Sequence, residues 1–311
     1  MYNDLFTHPL TKLLTVVFIM IVGFFVVFML GFLLALLLFN TSLTELSGFF
    51  VSYDFSGRMH ILKYFQIIQT IGLFVVPSFV LARMFSNHPA TFLGLSRKPS
   101  MISVVIVLVL IFTALPFINF LSHLNQSIPF PEYMKSLEEW LMDREKNAQE
   151  LTFQFLEAKN AMQLFVNMVM IAVLPAIGEE LLFRGILQKL FAGWFRNIHL
   201  GILIAAILFS AMHVQFYGFI PRLALGMLLG YLFFWSGSVW LPIIAHFINN
   251  ASAVIYYFFQ ADQLEQSSDY YGSFDMPVIM IIASIAVMIM CCFLIYHYES
   301  RMHSPSQQEH G

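Results

Sequence analysis

Glu179, Glu180 and Arg184 lie within LPAIGEELLFRGILQKL, residues 174–190, between apolar flanks suited to a bilayer. Each charge at the centre of a membrane helix costs about 2.5–3.5 kcal/mol, so three unpaired ones would penalise the span by roughly 8–10 kcal/mol. Glu180 and Arg184 stand at i and i+4 with the carboxylate on the N-terminal side, the better orientation for a pair along one helix. Glu179 is turned about 100° away on an ideal helix and has no basic partner within one turn. An intramembrane carboxylate without a local partner is a functional-site hypothesis. His213 in ILFSAMHVQF, and His246, Asn249 and Asn250 in WLPIIAHFINNASAV, are further residues that lipid would reject. His246 and Asn250 are four apart and share a helical face. Singly, each reads equally well as a buried polar residue hydrogen-bonded across helices. Together, one glutamate, two histidines and one asparagine on three helices make a site able to hold a water and a carbonyl.

Several chemistries are excluded. No HExxH occurs, so a helix with two histidine zinc ligands on one face is absent. Ser236 in FWSGSVW lacks the GxSxG elbow of a serine nucleophile. The cysteines, Cys291 and Cys292, are adjacent, which rules out a disulfide framework or a spaced thiolate metal site. A carboxylate acting on water remains, with or without a metal.

These residues need a membrane bundle to position them. The chain is 59% hydrophobic and only 11% charged, where soluble domains approach a quarter charged. Its net charge of −3, with no basic block, gives no sign of nucleic-acid binding. The reading is an all-α polytopic membrane protein forming a single domain over 1–311. Apolar stretches near the roughly 20 residues that cross a bilayer fall at 13–39, 61–82, 101–121, 164–188, 200–216, 220–236, 239–260 and 276–297. That predicts eight spans, with the fifth and sixth short enough for one to be tilted or re-entrant. The first is too long for a secretory h-region and is read as retained. Lys12, Arg83, Arg97, Lys98, Lys189, Arg196 and Arg301 share one side, whereas the acidic loop 261–275 has no Lys or Arg. The positive-inside rule then puts both termini in the cytoplasm, and the expected location is the cell membrane. Residues 131–161 combine charges of both signs with apolar residues at helical spacing, and are expected to form an extramembrane amphipathic hairpin or bent helix. The tail 304–311 is expected to be disordered.

Three motifs resemble those of a known family. EELLFR (Glu179 to Arg184) resembles EExxxR, FSAMH (Phe209 to His213) resembles FxxxH, and HFINN (His246 to Asn250) resembles HxxxN. These belong to the intramembrane proteases related to the CAAX prenyl endopeptidase and to bacteriocin-processing enzymes. The resemblance covers about 160–260 and implies an eight-helix membrane hydrolase whose substrate is a membrane-associated protein or peptide, with no small-molecule organic cofactor. It does not carry a prenylated substrate onto this chain. By the same resemblance, Glu179 is the general base, His213 orients the water, His246 and Asn250 stabilise the oxyanion, and Glu180 with Arg184 fixes the helix. A buried carboxylate is a stronger base than a solvated one, and His or Asn donors in a dry cavity suit a tetrahedral intermediate. A zinc-dependent version, with Glu179, His213 and His246 as ligands, stays open. The metal-free version is preferred because no spare carboxylate follows from the sequence to orient either histidine as a ligand. The rival readings are a transport protein, disfavoured by the lack of repeated halves, and a non-catalytic immunity or binding protein, disfavoured because every motif position is filled.

Overall fold

The computed structural model describes residues 8–52, 58–264 and 277–302, and among them every regular element is a helix. The greater part of the acidic loop, 265–275, and the tail 304–311 lie outside the described residues. The elements are α1 (Pro9–Leu38), α2 (Leu43–Ser52), α3 (Met59–Phe85), α4 (Pro89–Leu93), α5 (Met101–Thr113), α6 (Leu115–Gln126), α7 (Lys135–Leu156), α8 (Ala161–Phe195), α9 (Ile198–Ala211), α10 (Phe219–Ser236), α11 (Trp240–Leu264) and α12 (Val278–Met302).

The chain is an integral multi-pass membrane protein. Six helices among the described residues are long and apolar enough to cross a bilayer, or seven when α5 and α6, bent by 45° at their junction, count as one. The stretch expected as a fifth full span, 200–216, is the exception. Its helix α9 has 14 residues, about 21 Å at 1.5 Å per residue, which falls about 9 Å short of a 30 Å hydrocarbon layer. No glycine or proline follows Ala211 before Gly218, so the sequence carries no helix breaker at the stop. The segment 131–161 resolves into one short turn and a single 22-residue helix, α7, rather than a hairpin.

Prolines shape the two helices that cross beside the site. The turns before Pro77 in α3 and Pro175 in α8 are π-helical, over Ile71–Val75 and Met168–Val173. A proline inside a helix offers no N–H to the carbonyl four residues earlier, and the widened turn accommodates that gap. A third π-helical turn in α8, Phe183–Gln188, contains Arg184. Helix α8 packs against α3, α9, α10 and α11. Leu181, Leu182, Phe183, Ile186, Phe209 and Phe233 are the centre of the largest buried cluster.

One end of the bundle ties together the connections that hold Arg97, Lys98, Lys189 and Arg196. Val239 N–H donates to Gly94 O at 3.1 Å, Ser238 Oγ donates to Arg97 O at 2.5 Å and Trp240 Nε1 to Leu95 O at 2.9 Å. Lys189 Nζ bonds Phe92 O, and Ser100 N–H donates to Glu299 Oε1 at 2.9 Å. The other end carries α7 and the connection from α9 to α10.

Candidate active site

Glu180 sits about 22 Å from the C-terminal end of α8 by helical rise, and a tight turn at Arg196 and Asn197 reverses the chain into α9. Because α9 also ends after about 21 Å, the chain turns again at nearly the depth of Glu180. His213 therefore lies in a turn just past α9 instead of within a helix, and it is exposed at the surface of the bundle. Its Nδ1 lies 2.9 Å from Phe209 O, and its ring meets Phe209 edge to face, with centroids 5.4 Å apart.

The pairing expected along α8 is present but incomplete as first described. Arg184 Nη1 donates to Glu180 Oε1 at 3.0 Å. Arg184 Nε stands 3.0 Å from Glu180 Oε2, an ion-pair contact too bent to count as a hydrogen bond. The two residues are 1% and 0% exposed. The same carboxylate also reaches another helix, with Glu180 Oε1 lying 2.9 Å from His246 Nδ1. His246 is 3% exposed and rests edge to face against Phe209. So a carboxylate does stand beside a histidine, contrary to the expectation from sequence, and Glu180 joins α8 to α11 as well as pairing along α8. A carboxylate on Nδ1 sets ring orientation and leaves Nε2 as the working nitrogen.

Arg184 is held from a second side. Its Nη2 donates to Gly226 O at 2.9 Å, and one turn on, Gln188 Nε2 donates to Gly230 O at 3.1 Å. Gly226 and Gly230 form a GxxxG pair on α10, and their carbonyls are reachable because small residues let helices approach closely. A Cβ on Gly226 would meet the Cβ of Ala206 at 3.0 Å, and one on Gly230 would meet Ile202 Cγ2 at 2.8 Å. The guanidinium also lies 4.9 Å from the Phe209 ring centre.

Glu179 is partly exposed and makes no hydrogen bond among the described residues. The ionisable groups around it are His246, Glu180 and Arg184.

Asn250 has a structural engagement that sequence reasoning missed. Its Nδ2 donates to Ile171 O at 3.0 Å, and its Oδ1 accepts from Asn249 Nδ2 at 3.0 Å. Ile171 is four residues before Pro175, so Asn250 supplies the donor that the proline ring cannot. The sequence signal was the proline in α8. One amide hydrogen of Asn250 remains uncommitted.

The six residues do not converge as a zinc-ligand set: among the described residues no group of three or more His, Cys, Asp or Glu side chains is placed to hold a metal ion. Glu180 is bonded to both Arg184 and His246.

Comparison with known proteins falls on the same stretch. Residues 161–252 match the family model described as Rce1-like, type II CAAX prenyl endopeptidase, an interval that contains all six site residues. A Bacillus subtilis (strain 168) protein described as uncharacterized protein YpbD is 34% identical over 89 residues, 27% of this chain and 42% of that protein. The chain thus covers less than half the length of this relative. No solved structure matches.

Proposed function

We propose, from the match of residues 161–252 to the Rce1-like family of type II CAAX prenyl endopeptidases, that this chain is an intramembrane endopeptidase. Its substrate is a peptide bond of a membrane-associated protein or peptide. The observation that carries the reading is an unbonded, partly accessible Glu179 beside a histidine fixed by Glu180 and Arg184.

In the proposed reaction, Glu179 removes a proton from water and the hydroxide adds to the scissile carbonyl. General base catalysis of this kind contributes typically 10²–10⁴-fold. His213, at the depth of Glu180 on the α9 turn, orients the water. The oxyanion accepts from Nε2–H of a protonated His246, whose Nδ1–H donates to Glu180. Arg184 neutralises Glu180 and keeps it in place. The second amide hydrogen of Asn250 is available to the same oxygen, while its first holds α8 at Ile171. Protonated Glu179 then delivers its proton to the leaving nitrogen as the C–N bond breaks. Preorganised donors in a site shielded from water are the usual source of most of such catalysis. No step uses a metal.

The test is cleavage of an internally quenched peptide with an apolar membrane anchor by the purified chain in proteoliposomes, alongside comparison of new peptide termini in membranes from cells carrying wild type or Glu179→Gln. Glu179→Gln should fold and lose cleavage, by at least about a hundredfold on the scale of a lost general base. Wild-type activity should persist after chelation to a metal-free state verified by elemental analysis. Full activity of a folded Glu179→Gln protein would remove that residue from the chemistry, and zinc-restorable loss on chelation would replace this mechanism with a metal-dependent one.

A further inference from the structure

The connection carrying His213 is held by residues outside the family-matched interval. Residues 212–218 have no regular α-helix, and they begin where α9 stops short of the far side of the bilayer. Non-helical backbone at membrane depth must be satisfied by protein groups. Asn125, in the last turn of α6 and 1% exposed, does this twice: its Nδ2 donates to Phe216 O at 2.9 Å and its Oδ1 accepts from Ile220 N–H at 2.7 Å. Glu145, the buried residue of the otherwise exposed middle of α7, accepts from Tyr217 N–H and from Gln215 Nε2, each at 3.3 Å. Arg222 donates to Gln215 O at 3.2 Å and to Gln215 Oε1 at 2.6 Å. Ser210 Oγ donates to Phe219 O at 2.7 Å and closes the base of the loop.

Inside this frame Val214, next to His213, is held at φ 52°. A β-branched residue in the left-handed region is an outlier that persists only where its surroundings over-determine it. Its side chain is 60% exposed, so apolar burial does not hold it there. The bonds to the flanking residues do.

We propose that Glu145 and Asn125 are positioning residues that clamp the 212–219 loop and so set the place of His213 in the reaction. The catalytic consequence rests on the proposed function. It gives α7, expected from the sequence only as an extramembrane amphipathic segment, a part in the site. Neither residue touches the reacting atoms in this account. They act by satisfying the backbone of the segment that carries His213, which keeps its ring against Phe209 and level with Glu180.

The test uses the full-length protein in nanodiscs and reads hydrogen–deuterium exchange over residues 212–220, together with kcat and KM on the quenched peptide. Glu145→Ala and Asn125→Ala should each raise exchange in this segment about tenfold, the factor for losing one hydrogen bond to a charged or well-buried partner. They should lower kcat more than they change KM. Glu145→Gln keeps an acceptor for Tyr217 N–H and should restore part of both readouts, while Glu139→Gln on the exposed face of α7 should change neither. Unchanged exchange in folded Glu145→Ala and Asn125→Ala would overturn the clamp, and raised exchange with unchanged kcat would overturn its role in positioning. A wild-type protein that does not cleave would sink the protease reading alone, because the exchange measurement would still decide whether the clamp exists.

Discussion

Glu180 is the residue whose role changes most between sequence and structure. On the helix alone it is Arg184's partner, but in the bundle one of its oxygens also meets His246 Nδ1. Removing one member of a buried ion pair leaves the other charge uncompensated, which costs about 3–5 kcal/mol. Glu180→Gln and Arg184→Ala should therefore each lower stability by about that amount, read as a large drop in detergent melting temperature. Glu179→Gln removes a charge that has no hydrogen-bonding partner among the described residues and should leave the melting temperature near wild type. Equal melting temperatures for all three variants would mean that the Glu180 and Arg184 pair is not what stabilises α8. The contrast between neighbouring glutamates follows from partners: both are carboxylates in one turn, and only Glu180 is held.

At the scale of elements, α8 is fixed against α10 and α11 by side chains that reach backbone carbonyls. Arg184 and Gln188 reach Gly226 and Gly230, and Asn250 reaches Ile171. Close approach at the glycines is what makes the first pair of contacts possible. Gly226→Val would place methyl groups against Ala206 and Phe209, forcing α10 away from α9 and lengthening the Arg184 contact. Overpacking of this kind costs typically 1–3 kcal/mol. The variant should lose thermal stability by about that amount and lose activity as well, although residue 226 lies outside EELLFR, FSAMH and HFINN. A stable, fully active Gly226→Val protein would show that the Arg184 contact to α10 contributes nothing to the site.

For the whole molecule, the two ends differ in what they carry. One holds the bonded connections around Arg97, Lys189 and Arg196, and the other holds α7 and the His213 loop. The expectation from the positive-inside rule is that the first end faces the cytoplasm and the clamp faces the outer side. In a background with Cys291 and Cys292 replaced by alanine, Glu150→Cys on α7 should react with a membrane-impermeant maleimide in intact cells, and Ser96→Cys should not. Both positions are exposed. The reverse labelling would invert the molecule and turn the clamp towards the cytoplasm.

The sequence by itself determined that this is a helical membrane protein, because long apolar runs and a low charge content leave few other solutions for 311 residues. It also determined which residues to suspect, since a charge in lipid is conspicuous by its type alone, and EELLFR, FSAMH and HFINN could be read directly. The Glu180 and Arg184 pair was legible for the same local reason: three-to-four spacing decides helical neighbours without reference to the rest of the chain. What the tertiary structure decided was every relation between helices. The stop of α9 at Ala211 has no local signal because no glycine or proline follows it before Gly218, and it is this stop that sets His213 at the depth of Glu180. Which carboxylate His246 faces, Glu180 rather than Glu179, depends on how α11 is rotated against α8, a choice that spacing within either helix does not contain. The parts of Asn125 and Glu145 were likewise beyond a linear reading. They lie 95 and 72 residues from their partners Ile220 and Tyr217, and a polar residue on a polar segment has nothing local to distinguish it until a fold brings unsatisfied backbone to its side.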